Sequence, residues 1–366
     1  MKSIIFLSGA VPPQTGGELY NFKVSKYIAS QGLEQEYVSL HKYKLFFKLN
    51  LLPFVGNFLI SLFLLIVIKK SDSVLIVDHY YSKYTVLLQA FKKAFGSGKI
   101  ITLVHLFDGY NSADSFGFRR YIFSFLEKTR LVFSDVIVAT SEYSRREVIS
   151  LGISPDIVYS LPPGLDQEDS NLLSESERNS EPRKILCVAN FIPRKGQDYL
   201  IKAYASIKPS GYTLHLVGSP GKHRNYYIKI QRLIKSLKLE KQVFLHDGRN
   251  KQLVKELYLA SSIFVLPSFK ETFGIVLIEA MYYKLPIITT NVSAMPELVK
   301  HNENGLLVSP GNIQELARAL KILTENPNIG KNMGSRGFEF VKTSYRWEET
   351  CSKFTKLVKS CLNESC

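Results

Sequence analysis

Short apolar runs alternate with longer stretches of helical period along the whole chain. Runs of this length bounded by turn residues read as strands buried on both faces, and their alternation with helices reads as βαβ units building a parallel sheet. In the first half the predicted strands are Ser3–Ser8, Glu36–Leu40, Ser73–Val77, Ile100–Val104, Asp135–Ala139 and Ile157–Ser160. A helix is predicted over Glu18–Ser30, closed by Gly32, a residue suited to the left-handed turn that follows a helix end. The polar, aperiodic stretch Gln167–Pro182 (QEDSNLLSESERNSEP) then interrupts the pattern and reads as an interdomain linker. Beyond it the alternation restarts with predicted strands at Lys184–Ala189, Thr213–Val217, Gln242–Leu245, Ile263–Leu266 and Pro286–Thr289. The expectation is α/β throughout, with two Rossmann-like domains facing each other across a cleft.

One segment departs from this rhythm. Leu51–Ile68 (LLPFVGNFLISLFLLIVI) is almost continuously apolar and is followed by Lys69 and Lys70. Pro53, Gly56 and Asn57 interrupt it, which leaves a stretch shorter than the roughly 20 residues that a spanning helix needs. A helix buried against the sheet and a helix lying on a membrane surface both fit, and a true span fits least. Lys42–Arg130 holds 13 basic and 5 acidic residues, an excess that suits a peripheral contact with anionic lipid through residues 51–70. The N-terminal MKSIIFLSG has too short an apolar core for a signal peptide and reads as the first strand.

The chain has 366 residues, of which 45% are hydrophobic and 22% charged, so a disordered reading is excluded and a two-domain globular protein fits. Its formal net charge of +15 points to phosphate groups, nucleic acid or an anionic membrane without choosing among them. The four cysteines form no CxxC pair and no zinc-type cluster with histidine, so a reducing, cytoplasmic compartment is expected, without a structural metal. No GxGxxG follows a predicted strand, no Walker A motif is present, and basic and aromatic residues are not interleaved as in RNA-binding modules. Dinucleotide, P-loop and nucleic-acid readings therefore fall away.

The most informative stretch is Ser262–Glu297, SIFVLPSFKETFGIVLIEAMYYKLPIITTNVSAMPE. A buried strand ends at Pro267-Ser268, a turn follows, and a helix is predicted to begin near Phe273-Gly274. Glu271 then lies in the loop at the strand's carboxyl end and Glu279 about two turns further on. Free amides and the dipole of a helix start attract phosphate, and two flanking carboxylates can accept hydrogen bonds from sugar hydroxyls at either end of a sugar nucleotide. Taken alone, Glu271 also fits a helix-start acid and Glu279 a solvated helix residue.

This stretch resembles the Glu-x7-Glu signature of retaining GT-B glycosyltransferases of family 4, matching at Pro267-Ser268, Glu271, Phe273-Gly274, Glu279-Ala280-Met281 and Pro296-Glu297. Gly16-Gly17, after the first strand, is similar to the family's glycine loop. Ser134–Asp166 resembles the end of its acceptor domain and His301–Asn312 the close of its nucleotide domain. In VANFIPRKG, Lys195 matches a family lysine, whereas Asn190 stands where the family usually has arginine. YRWEETCSKF resembles the family's C-terminal helix, with Trp347 as its packing anchor.

The resemblance implies an N-terminal acceptor-binding domain at 1–166, a linker at 167–182, a C-terminal nucleotide-sugar-binding domain at 183–343, and a helix at 344–366 packing back on the first domain. It implies retaining transfer of a sugar from a UDP- or GDP-sugar to a hydroxyl of a glycan or lipid-linked acceptor, without a metal or another cofactor. His105, Lys195 and Glu271 take the catalytic positions, with His79 competing for the histidine role. Gly16, Gly17, Asn190, Lys195, Ser268, Thr272, Phe273, Gly274, Ile275 and Glu279 are the implied donor-binding residues, and Asp108 and Tyr110 the acceptor-side ones. The expected setting is cytoplasmic, peripheral on the membrane face, in polysaccharide or glycolipid synthesis. Because Asn190 lacks the arginine's charge, a catalytically weak GT-B subunit that partners another transferase is the alternative.

Overall fold

A computed structural model describes residues 3–9, 13, 15–39, 73–79, 86–94, 98–105, 128–129, 131–165, 183–221 and 223–363. The expected linker at 167–182, the apolar stretch at 51–70, and Asp108 and Tyr110 lie outside the described residues. The chain forms two compact units, one comprising Met1–Gly164 with Trp347–Cys366 and the other Leu165–Arg346.

The first unit carries β1 (Ile4–Ser8), β2 (Gln35–Ser39), β3 (Val74–Asp78), β4 (Ile100–Val104), β5 (Val136–Ala139) and β6 (Val158–Ser160), paired in parallel in the order β2-β1-β3-β4-β5-β6. The second carries β7 (Arg183–Val188), β8 (Tyr212–Gly218), β9 (Val243–Asp247), β10 (Ser261–Leu266), β11 (Ile287–Thr290) and β12 (Gly305–Val308), again parallel, in the order β12-β11-β10-β7-β8-β9. Strand order reverses between β1 and β3 in the first sheet and between β7 and β10 in the second. In open parallel sheets ligands bind outside the carboxyl ends of the strands at such reversals.

The described helices are α1 (Gly16–Ser30), α2 (Val86–Ala94), α3 (Glu142–Ser150), α4 (Gln197–Ile207), α5 (Arg224–Ser236), α6 (Lys251–Ala260), α7 (Ile275–Tyr282), α8 (Met295–Leu298), α9 (Ile313–Glu325), α10 (Pro327–Ser344) and α11 (Trp347–Asn363). None is long and apolar enough to cross a membrane. Every residue of β1, β3 and β4 is buried, as continuous apolar runs in a parallel sheet require. In the second unit Ile185, Leu186, Phe264, Val265, Ile287 and Ile288 form the sheet's part of the core, closed by helix side chains such as Leu200, Leu277 and Ile278. Burying each such side chain contributes about 1.5–3 kcal/mol.

Three departures from the sequence pattern have identifiable reasons. Helix α1 starts at Gly16, two residues before the predicted Glu18, because Thr15 caps it: the Thr15 hydroxyl accepts from the Glu18 amide at 3.3 Å, and the Glu18 carboxylate accepts from the Thr15 amide at 3.1 Å. Helix α7 starts at Ile275, so Glu279 lies just over one turn into it rather than about two turns on. Strand β12 has four residues and too little apolar length to stand out; it pairs with β11 as an edge, where a side chain at Gly305 would place a Cβ 2.5 Å from the Ile287 carbonyl oxygen.

Helix α11 packs within the first unit although it follows the second in sequence. Trp347 meets Tyr20 of α1 edge to face at 5.7 Å, and the Thr350 hydroxyl donates to the Pro162 carbonyl oxygen at 2.7 Å. Phe354 and Val358 are fully buried on the same helix.

Candidate active site

At the reversal of the second sheet, the loop after β7 and the loop after β10 lock together through backbone. Gly196 has φ +69°, and a Cβ there would lie 2.3 Å from the Pro267 carbonyl oxygen, so only glycine fits. The Phe269 amide donates to the Arg194 carbonyl oxygen at 2.8 Å. This contact brings Lys195 onto Glu271, 76 positions away: the ammonium donates to Glu271 Oε1, which also accepts from the Ser268 hydroxyl at 2.9 Å. Arg194 Nη1 lies 3.4 Å from the same oxygen. Glu271 is buried, which by itself pushes its carboxyl up, but the charges of Lys195 and Arg194 and the bonds from Lys195 and Ser268 outweigh that and hold it below the ordinary glutamate value.

Three residues beyond Glu271 the chain turns into α7. Gly274 is the N-cap at φ +86°, where a side chain would be strained and would press on Met295. No side chain caps this helix, so Ile275 and its neighbours begin it with uncapped amides. Phe273 is buried beside Tyr345, and Thr272 is half-buried between Glu271 and Phe273. Lys195, Ser268, Glu271 and the α7 start therefore form one cluster.

Glu279 stands on α7, and its Oε2 accepts from the Tyr258 hydroxyl at 2.9 Å. Burial, then the Glu279 charge and hydrogen bond, raises the Tyr258 hydroxyl well above its ordinary value, so it stays a donor. Tyr258 is held by stacking on Tyr283 at 5.2 Å. Asn190 bonds across to the next strand end: its Oδ1 accepts from the Ser219 amide at 3.2 Å, and its carbonyl oxygen accepts from Gln197 Nε2 at 3.0 Å. Asn190 itself carries no positive charge, and Arg194 converges with Lys195 on Glu271.

The reversal of the first sheet holds a different cluster. His105 follows β4, and its Nε2 lies 2.8 Å from Asn21 Oδ1. Asn21, on α1, donates through Nδ2 to the Ser8 hydroxyl at 2.8 Å and to Asp78 Oδ2 at 2.6 Å, at the ends of β1 and β3. Gly17 fits here by close approach: a Cβ would sit 3.0 Å from His105 Cγ. Gly16 is exposed at the first position of the helix. Tyr20 meets the His105 ring edge to face at 5.4 Å and is backed by Trp347. Burial lowers His105, and the Asp78 and Glu18 charges oppose that while His79 adds to it, so the ring is held below the ordinary histidine value. His79 is itself buried at the end of β3.

Sequence reading missed Tyr258, Asn21 and Asp78. Asn21 carried a usable signal, because it lies with Val24, Ser25 and Ile28 on the buried stripe of α1, where a polar residue needs a partner. Tyr258 carried none, since an aromatic on a helix reads as core. Among the described residues no three His, Cys, Asp or Glu side chains come together as a metal-holding group.

Residues 169–340 match the family described as glycosyl transferases group 1. An uncharacterized glycosyltransferase of Haemophilus influenzae is 35% identical over 159 residues, 43% of each chain. The GDP-mannose-dependent alpha-(1-6)-phosphatidylinositol monomannoside mannosyltransferase of Mycobacterium tuberculosis is 27% identical over 62% of each chain. The matched stretches thus span less than two thirds of either relative's length. Sucrose-phosphate synthase from Thermosynechococcus elongatus superposes with a TM-score of 0.82 over 100% of both chains at 19% identity, a likeness of fold. Residues 169–340 thus carry a group 1 glycosyltransferase domain, and the pair of parallel six-stranded sheets gives the chain the GT-B fold.

Proposed function

We propose that the chain transfers a sugar from a UDP- or GDP-sugar to a hydroxyl of a glycan or lipid-linked acceptor, with retention at the anomeric carbon, in cell-surface polysaccharide or glycolipid synthesis. The observation that carries this reading is the convergence of Lys195, Arg194 and Glu271 beside the uncapped start of α7. In the reaction the bond from the anomeric carbon to the diphosphate oxygen breaks, a bond to the acceptor oxygen forms, and the acceptor's hydroxyl proton passes to the departing diphosphate. The departing diphosphate gathers negative charge, and preorganised cations and helix-start amides stabilise it. Lys195, with the amides at Gly274 and Ile275, takes that role.

Glu271 accepts from hydroxyls of the transferred sugar, and Ser268, Thr272 and Phe273 shape its loop. Glu279, oriented by Tyr258, accepts from the ribose hydroxyls, and Asn190 sets the strand-end loops. Gly16, Gly17 and His105 serve the transferred sugar, and Asp108 and Tyr110 serve the acceptor. No metal takes part in this scheme. A cytoplasmic enzyme with peripheral membrane contact through residues 51–70 fits the basic excess around that stretch.

The test is release of nucleoside diphosphate from a panel of UDP- and GDP-sugars, with the anomeric configuration of the product read by NMR. Turnover of a subset of donors, retention, and loss of both on Glu271→Ala are expected. No turnover with any donor overturns the enzyme reading in favour of a binding subunit, and an inverted product overturns the retaining step. Cosedimentation with anionic vesicles at low salt tests the membrane contact, which fails if the protein stays wholly in the supernatant.

A further inference from the structure

The buried cluster at the first sheet's reversal fixes more than the place of His105. Asp78 as a carboxylate only accepts hydrogen bonds, so the Asn21 atom 2.6 Å from it is the amide nitrogen, and the second proton of that nitrogen goes to the Ser8 hydroxyl at 2.8 Å. That leaves Asn21 Oδ1 facing His105 Nε2 at 2.8 Å. An amide oxygen cannot donate, so Nε2 carries the proton. A neutral imidazole has one N–H, and Nδ1 therefore keeps its lone pair. The contacts made by α1 fall on the same side of the ring: Gly17 approaches Cγ and Cδ2, and Asn21 takes Nε2.

We infer that Asn21 is a positioning residue that relays the Asp78 carboxylate to His105, fixes the Nε2–H tautomer, and so presents Nδ1 as a hydrogen-bond acceptor to a sugar hydroxyl. This rests on the proposed glycosyl transfer and adds a direction to it: His105 meets a polyol as a neutral acceptor, and neither as a cation nor as a proton donor. An asparagine suits this task because it has a donor for the carboxylate at one end and an acceptor for the imidazole at the other. Aspartate at the same position would lack the donor and would set two carboxylates side by side, and leucine would break both links. The charged and titratable groups acting on the ring are Asp78, His79 and Glu18.

The experiment uses the full chain labelled with 15N-histidine, with His105 assigned by its loss in His105→Gln, and reads the tautomer from long-range proton–nitrogen correlations at neutral pH. The expected pattern is a protonated Nε2 and an unprotonated Nδ1. Asp78→Asn removes the group that orients the Asn21 amide and should give a mixture of tautomers, and Asn21→Asp should raise the His105 titration. Asn21→Leu should lower kcat/KM by about tenfold and also lower thermal stability, because buried Asp78 and Ser8 lose the Asn21 donor, so the rate is read per folded molecule. A protonated Nδ1 or an imidazolium in the wild-type protein overturns the inference, and that spectrum decides even if a variant fails to fold. An Nε2–H ring in a protein that turns over no donor upholds the relay while overturning the proposed function, so the two failures are distinguishable.

Discussion

At the reversal of the second sheet three charged side chains, Arg194, Lys195 and Glu271, meet at one oxygen, whereas the reversal of the first sheet gathers Ser8, Asn21, Asp78 and His105, with one carboxylate and a neutral ring. Both clusters sit at carboxyl ends of parallel strands, so topology supplies the place and side chains supply the chemistry. A diphosphate needs charge, which acts over several ångströms and tolerates imprecise geometry. Recognition of hydroxyls needs a lone pair in a fixed direction, which an imidazole oriented by a hydrogen-bonded network would provide. The charge of the chain divides the same way: residues 1–170 hold 18 basic and 15 acidic residues, and residues 171–366 hold 29 and 17.

The largest effect separating the two clusters is expected from Lys195→Ala. Turnover should fall by about 10²–10³-fold. Folding stability should fall by less than the roughly 3–5 kcal/mol of a broken isolated buried pair, because Arg194 remains 3.4 Å from Glu271. Steady-state rates and urea melts measure both, and unchanged turnover would remove charge from the second cluster's role. In the first cluster Gly17→Ala is the matching probe. Its Cβ would stand 3.0 Å from His105 Cγ, so the ring must move, and kcat should drop by about 10- to 100-fold for about 1–3 kcal/mol of stability.

Tyr258→Phe is a milder change. Losing one hydrogen bond to a carboxylate should cost about 1–2 kcal/mol, appearing as a higher KM for the donor with kcat nearly intact. The smallest effect is on pH dependence. His215 Nδ1 lies 2.9 Å from His246 Nε2, and burial, then His246 and Lys184, push His215 down to about 4. A folded-state value below that of the unfolded chain means that stability is lost as pH falls from about 6.5 to about 4. Glu271, also lowered, holds its contribution above the unfolded glutamate value near 4.3 and loses it at still lower pH. His215→Gln should flatten the upper window by on the order of 1 kcal/mol and leave the lower one untouched, as read from melting temperatures across the range.

The apolar runs made the buried strands legible, because a strand covered on both faces has no polar positions to blur it. The Ile100–Val104 run and the described strand coincide residue for residue. Short or edge elements were less legible: β12 has four residues, and its identity rests on pairing with β11 and on the room that Gly305 leaves. Single candidate residues at strand ends, such as Lys195, Glu271 and His105, stood out by motif. Their pairings did not, since Lys195 with Glu271, Tyr258 with Glu279 and Asn21 with Asp78 join positions far apart in sequence.

Helix α11 gives the first unit a dependence on the order of synthesis. Residues Leu165–Arg346 are continuous and can close their core as soon as they have emerged. The first unit, though made earlier, waits for Trp347 to settle behind Tyr20 and for Thr350 to reach Pro162. Without those contacts the ring that meets His105 lacks its support, so truncation before Trp347 should loosen the first unit and leave the continuous second unit its own core.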